Sequence, residues 1–191
     1  VRTENLAILF TDLEGFAEGA ARASLEQNQQ QLEKVRAVLS PVFTAFHGRV
    51  VKAVSDSFLV VFESPTLAVL AATAAQDELW KSGFSTLRIG VSVGEVGLQG
   101  RDVLGEPVAA ASALKDSARA GEVRLTEAVQ LVVNRAEVKV EPAGRHGEQL
   151  VYRVPRASGG APYGGQGMTR LPGAPTGELG GALTASALKV I

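Results

Sequence analysis

The chain has no cysteine, which removes disulfide frameworks, thiolate metal sites and cysteine nucleophiles from consideration. It also lacks an excess of either charge. Lys and Arg number 19 against 20 Asp and Glu, so the basic surplus expected of a nucleic-acid binder is missing. The longest apolar stretch, Leu67 to Ala75, is broken by Thr73 and falls far short of the ~20 residues of a membrane helix. No charged leader followed by an apolar core opens the sequence. These absences predict a soluble, cytoplasmic type of protein with neither nucleic acid nor membrane as partner. Histidine is scarce, and His47 and His146 stand far apart without ligand spacing. His47 suits a helix C-terminus, where a cation is favourable, and His146 a loop.

What is present is ordinary globular material: 191 residues, 46% hydrophobic and 20% charged, enough for one domain with some chain to spare. Composition shifts near Pro155. From Arg156 to Ile191 there are nine Gly and three Pro but only four charged residues, too little burial capacity to offset the entropy of ordering. Residues 1–155 are therefore read as the domain and 156–191 as a Gly/Pro-rich flexible linker or tail.

Within the domain, Leu6 to Thr11 is a continuous apolar run, as in a strand buried on both faces. Ser24 and Gln27 have capping-box spacing ahead of Leu25, Leu32, Val35, Leu39, Val42, Phe43 and Phe46, a helical pattern that Pro41 could bend and Gly48 could follow. Arg49–Val54 and Phe58–Phe62 flank Ser55-Asp56-Ser57 as a hairpin. Ser64-Pro65 opens an Ala-rich helix to about Trp80. Leu87–Val93 reads as a strand, Glu106-Pro107 starts a helix that Gly121 stops, Thr126 caps a short helix, and Gln149–Val154 closes the domain. This order predicts an α+β fold, a ferredoxin-like, mainly antiparallel sheet with helices on one face. Gly90, Gly94, Gly97 and Gly100 lie in a strand and loop, which is the wrong context for a dinucleotide fingerprint.

Two carboxylates stand out by position. Asp12 ends the first strand and Asp56 tips the hairpin. In a ferredoxin-like sheet these two places can share an edge, making a hard-oxygen site for Mg²⁺ or Mn²⁺ beside a polyphosphate. The backbone N–H groups of Leu13, Glu14, Gly15 and Phe16 could cradle its phosphates. Asp is also common in turns for purely local hydrogen bonding, and both readings stay open on this pattern alone.

Five segments carry a wider likeness: LAILFTDLEGF (Leu6–Phe16), GRVVKAVSDSFLVVFESP (Gly48–Pro65), LRIGVSVGEV (Leu87–Val96), DVLGEPVAAASAL (Asp102–Leu114) and GEVRLTEAV (Gly121–Val129). In order and spacing they resemble the class III adenylate/guanylate cyclase domain. The resemblance implies a homodimer with the active site between protomers, or a heterodimer with another cyclase chain. It implies that Asp12 and Asp56, with the Leu13 carbonyl, hold two metal ions. Lys52 and Asp102, from the opposite protomer, would read the purine as the adenine type, favouring ATP over GTP, with cyclic AMP as the ancestral product. Taken alone, Lys52 also suits a solvated strand position and Asp102 a turn. The hairpin reads Ser-Asp-Ser-Phe, which argues against a diguanylate cyclase.

The departures are specific. The Asn and Arg that the family carries on the helix after Asp102 are Ala109 and Ala113 here. The phosphate-contacting Lys before the last strand aligns with Ala143 or Gly144, where Arg145 is close enough to substitute. The Gly before the hairpin Asp is Ser55, which should strain the turn. The expectation is a degenerate cyclase domain of weak turnover or, alternatively, a catalytically inactive module for nucleotide sensing or dimerisation.

Overall fold

A computed structural model describes residues 2–84, 87–158 and 160–164. The first strand, β1 (Arg2–Leu13), leads through a five-residue helix α1 (Phe16–Ala20) to α2 (Leu25–Ala45). The hairpin β2 (Arg49–Val54) and β3 (Ser57–Phe62) follows, then α3 (Pro65–Lys81) and β4 (Leu87–Gln99). After these come β5 (Asp102–Leu104), α4 (Glu106–Ser117), β6 (Val123–Thr126), α5 (Glu127–Val132), β7 (Glu141–His146) and β8 (Gln149–Arg153). The sheet runs β2-β3-β1-β4-β6-β8-β7, with β5 also on β4. Its first four strands, in spatial order 2-3-1-4 with α2 and α3 between them in sequence, form the expected ferredoxin-like unit. All pairings are antiparallel except β4 with β6.

Strand alternation divides the interior in two. Ala7, Leu9 and Leu13 of β1 pack with Val35, Leu39 and Phe43 of α2 and the buried alanines of α3. Leu6 and Ile8, pointing the other way, pack with Leu59, Val61, Val96 and Ala111 of α4. The helix layer expected on one face is thus α2 and α3 with the short α5, whose Val129 joins the same core, while α4 lies alone on the opposite face. Small residues allow it to sit close: a Cβ on Gly90 would come 2.6 Å from the Lys115 backbone N and would also overlap the Ala111 carbonyl.

Local signals fix the helix ends. Ser24 Oγ accepts from Gln27 N at 3.1 Å, and Gln27 Oε1 accepts from Ser24 N at 2.9 Å, the expected capping box. Ser64 caps α3, accepting from Leu67 N at 3.3 Å, with Pro65 in its first turn. At the end of α2 the left-handed residue is His47 (φ 62), not Gly48. Gly48 is needed there for space, because its Cβ would lie 2.6 Å from the Phe62 ring.

The expected tail boundary at Pro155 falls short of the packed chain. Tyr163 is buried in the main core. Its O–H donates to the Gly121 carbonyl at 2.8 Å and accepts from Val123 N at 3.1 Å, and its N–H donates to Asp77 at 2.6 Å. Residues 165–191, the rest of that tail, lie outside the described residues. Among the described residues no helix is long and apolar enough to cross a membrane.

Candidate functional site

Asp12 ends β1 on the α4 face, and the register sets it directly opposite Arg88 of β4. Arg88 donates to both carboxylate oxygens, Nε to Oδ1 at 2.9 Å and Nη2 to Oδ2 at 2.7 Å. From above, Lys115 of α4 donates to Oδ2 at 2.9 Å. Its ammonium also pairs with Asp116 at 2.8 Å and lies 5.4 Å from the centre of the Phe10 ring. Asp12 and Lys115 are both buried, their side chains about a tenth exposed at 9% and 10%. The hydrogen bond to Asp12 and its negative charge outweigh desolvation and raise the Arg88 pKa. For Lys115, burial alone would lower the pKa, but the hydrogen bonds to Asp116 and Asp12 outweigh it and the net direction is up.

Asp56 occupies the β2–β3 loop, and its Oδ2 accepts from the Leu13 backbone N–H at 3.2 Å. The hairpin tip therefore meets the end of β1 one residue beyond Asp12, as the ferredoxin-like topology implies. That bond uses one of the N–H groups expected to cradle phosphate. Leu13, Glu14, Gly15 and Phe16, with Gly19, Gln31 and Phe84, line a hollow of about 170 Å³, smaller than ordinary small-molecule sites.

A divalent ion does not fit this arrangement as it stands. A carboxylate has about four lone-pair positions, and three on Asp12 are filled by cationic donors. The position left on Oδ1 lies beside two resident cations, whose repulsion a divalent ion would meet unless the buried lysine moved away. Among the described residues no group of three or more His, Cys, Asp or Glu is placed to hold a metal.

Lys52 and Asp102 come together elsewhere, their side chains 2.8 Å apart and about half exposed, bridging β2 and β5. Arg145 is on β7, separated from β1 by three strands of the sheet. Its guanidinium donates to the Glu148 carbonyl and borders a hollow of about 480 Å³ shared with Ser92, Glu106, Ala110 and Thr126. It does not reach the Asp12 corner within one chain. On α4, Ala109 is exposed and Ala113 half-buried.

Sequence reasoning missed Arg88 and Lys115. A signal for Lys115 existed: Pro107, Ala111 and Leu114 mark the buried stripe of α4, and a lysine next to Leu114 falls on it. Arg88 likewise interrupts an apolar strand, but only the register shows what it faces.

The family model for the adenylate and guanylate cyclase catalytic domain matches residues 1–151. The chain is 40% identical over 177 aligned positions to serine/threonine-protein kinase pkn2 of Myxococcus xanthus, covering 86% of this chain and 21% of that protein. It is 27% identical over 154 positions to putative adenylate cyclase 3 of Rhizobium meliloti (strain 1021), covering 76% of this chain and 26% of that protein. The chain thus spans about a quarter or less of these relatives. Among solved structures, the guanylate cyclase domain of RhGC from Catenaria anguillulae in complex with GTP is similar at a TM-score of 0.73 and 18% identity, covering 81% of this chain and 98% of that one.

Proposed function

Since the chain belongs to the adenylate and guanylate cyclase catalytic domain family, we propose that it is a nucleotide-recognising, dimer-forming cyclase module that has lost efficient cyclisation and acts as a regulatory part of a longer protein. The observation that carries this reading is the Lys52–Asp102 pair, held at 2.8 Å and open to solvent. A lysine can donate to a ring-nitrogen acceptor and an aspartate can accept from an exocyclic amine, which is the hydrogen-bond pattern of adenine. Exposed ion pairs contribute little to folding, so the pair is read as a recognition element and ATP as its ligand in preference to GTP.

Cyclisation needs groups that meet charge developing on the phosphates. Ala109 and Ala113 supply neither a hydrogen bond nor a charge. Loss of one pre-organised charge stabiliser costs about 10²–10³ in rate, and typical turnover is only about 10 s⁻¹. The family's divalent ions enter no step of this reading, because the Asp12 corner does not fit them. A regulatory role is supported by the 40% identical relative, a protein named as a kinase of which this chain covers 21%.

The test is to measure nucleotide binding and cyclic AMP formation on the same purified protein with Mn²⁺ and ATP. Binding that weakens about tenfold or more in Lys52→Ala, with cyclic AMP formed at least about 10²–10³-fold below ordinary family rates, is the expected result. Cyclic AMP formation at ordinary family rates, lost in Asp12→Ala, would overturn the proposal, as would the absence of any nucleotide binding that depends on Lys52.

A further inference from the structure

The cations around Asp12 form a closed set. Arg88 reaches it from the neighbouring strand and Lys115 from the helix above, and together they engage both carboxylate oxygens. Lys115 is enclosed by Asp12, Asp116 and the face of Phe10. An ammonium so enclosed swings aside only by giving up its charged hydrogen bonds to Asp12 and Asp116 and its place over the Phe10 ring. Gly90 brings this turn of α4 onto the sheet, since any side chain there would collide with the Ala111 and Lys115 backbone.

We infer that Lys115, together with Arg88, occupies the cation position of this corner, so that Asp12 is a structural anchor tying α4 to β1 and β4 rather than a metal ligand. Lys115 is then a positioning residue that keeps divalent ions out. The corner is folded and charge-paired without metal. This inference does not rest on recognition at Lys52 and Asp102, and it is tested without nucleotide, so the two can fail separately.

Two kinds of site predict opposite signs. Where two carboxylates converge to hold a metal, neutralising one relieves repulsion and stabilises the metal-free protein. Where the carboxylate anchors buried cations, neutralising it strands them. The experiment measures the unfolding midpoint of the full chain in EDTA for wild type, Asp12→Asn, Lys115→Met and the double variant. Asp12→Asn is expected to lower the midpoint by about 5–10 °C, and adding Lys115→Met should restore at least half of that loss. An unchanged or raised midpoint in Asp12→Asn overturns the inference.

A second arm titrates Mn²⁺ alone against wild type and Lys115→Gln, read by the electron paramagnetic resonance of free Mn²⁺. It stands even if the Asp12 variants fail to fold. Removing the competing ammonium should tighten binding about tenfold or more, and Mn²⁺ should raise the midpoint of the variant but not of wild type. Equal Mn²⁺ affinity in the two proteins, or binding by wild type as tight as that expected of the variant, overturns the inference.

Discussion

Ser55 has φ 53 at the first position of the two-residue loop between β2 and β3, where such hairpins take glycine. The left-handed region costs a residue with a Cβ about 1–2 kcal/mol. Asp56, next in the loop, repays part of that by accepting from Leu13 N–H, and Arg36 reaches the Ala53 and Ser55 carbonyls from α2. Ser55→Gly should raise stability by up to about 1 kcal/mol, and Ser55→Val should lower it by about 1–2 kcal/mol, both measured by urea denaturation. Tyr163 is a second single-residue case. Its hydroxyl serves two buried backbone groups, the Gly121 carbonyl and the Val123 N–H. Tyr163→Phe leaves both without that partner and should cost about 1–3 kcal/mol, read in the same denaturation experiment, with little change in the denaturant slope.

At the scale of elements, α4 is where packing and the site meet. It covers one face of the sheet alone, and its approach depends on Gly90 and on Gly94, whose Cβ would lie 2.8 Å from Pro107. Gly90→Ala forces the helix outward. It should destabilise the fold by about 1–3 kcal/mol and also lengthen the Lys115–Asp12 contact, so that its cost should fall when Asp12→Asn is already present. A double-mutant cycle measures that coupling. Three other elements show why the sequence reading was incomplete. β5 and β6 have only three and four residues, too few for alternation to register. β7 contains Pro142 and Gly144, which speak against a strand, and it survives as an edge strand with its register broken between Pro142 and Arg145.

Across the whole molecule, pH acts through two ion clusters. Glu122 is buried, which would raise its pKa, but the Arg119 N–H, the Arg124 side chain and the charges of Arg124 and Arg153 bring it below its ordinary value of 4.5. A carboxylate lowered by folding adds stability above its unfolded pKa and loses it as pH falls through the folded value. Lys115 is raised above its ordinary 10.5, so its contribution is full below that pH and is lost as pH climbs through the folded value. The unfolding midpoint should therefore hold a plateau between these limits, fall below about pH 4.5 and fall again above about pH 10.5. Glu122→Gln should lower the plateau and flatten the acid limb. Thermal melts across the pH range check both.

The sequence by itself determined the ferredoxin-like order of strands and helices, the caps at Ser24 and Ser64, and the meeting of the hairpin with the end of β1. These follow from local periodicity, turn chemistry and short connections, all written along the chain. The resemblance to the cyclase family set out Lys52 and Asp102 as a candidate pair, which the fold brings within 2.8 Å. Only the tertiary structure decided what Asp12 faces. Arg88 is 76 residues away and Lys115 is 103, and both come to Asp12 through strand register and the seating of one helix on two glycines. The same holds for Tyr163, whose Gly-rich surroundings spoke for a loose tail while a cleft closed by Asp77, Gly121 and Val123 gave its ring and hydroxyl a buried place. Charges and buried polar groups find partners by proximity in space, and proximity at that range exists only after the chain has folded.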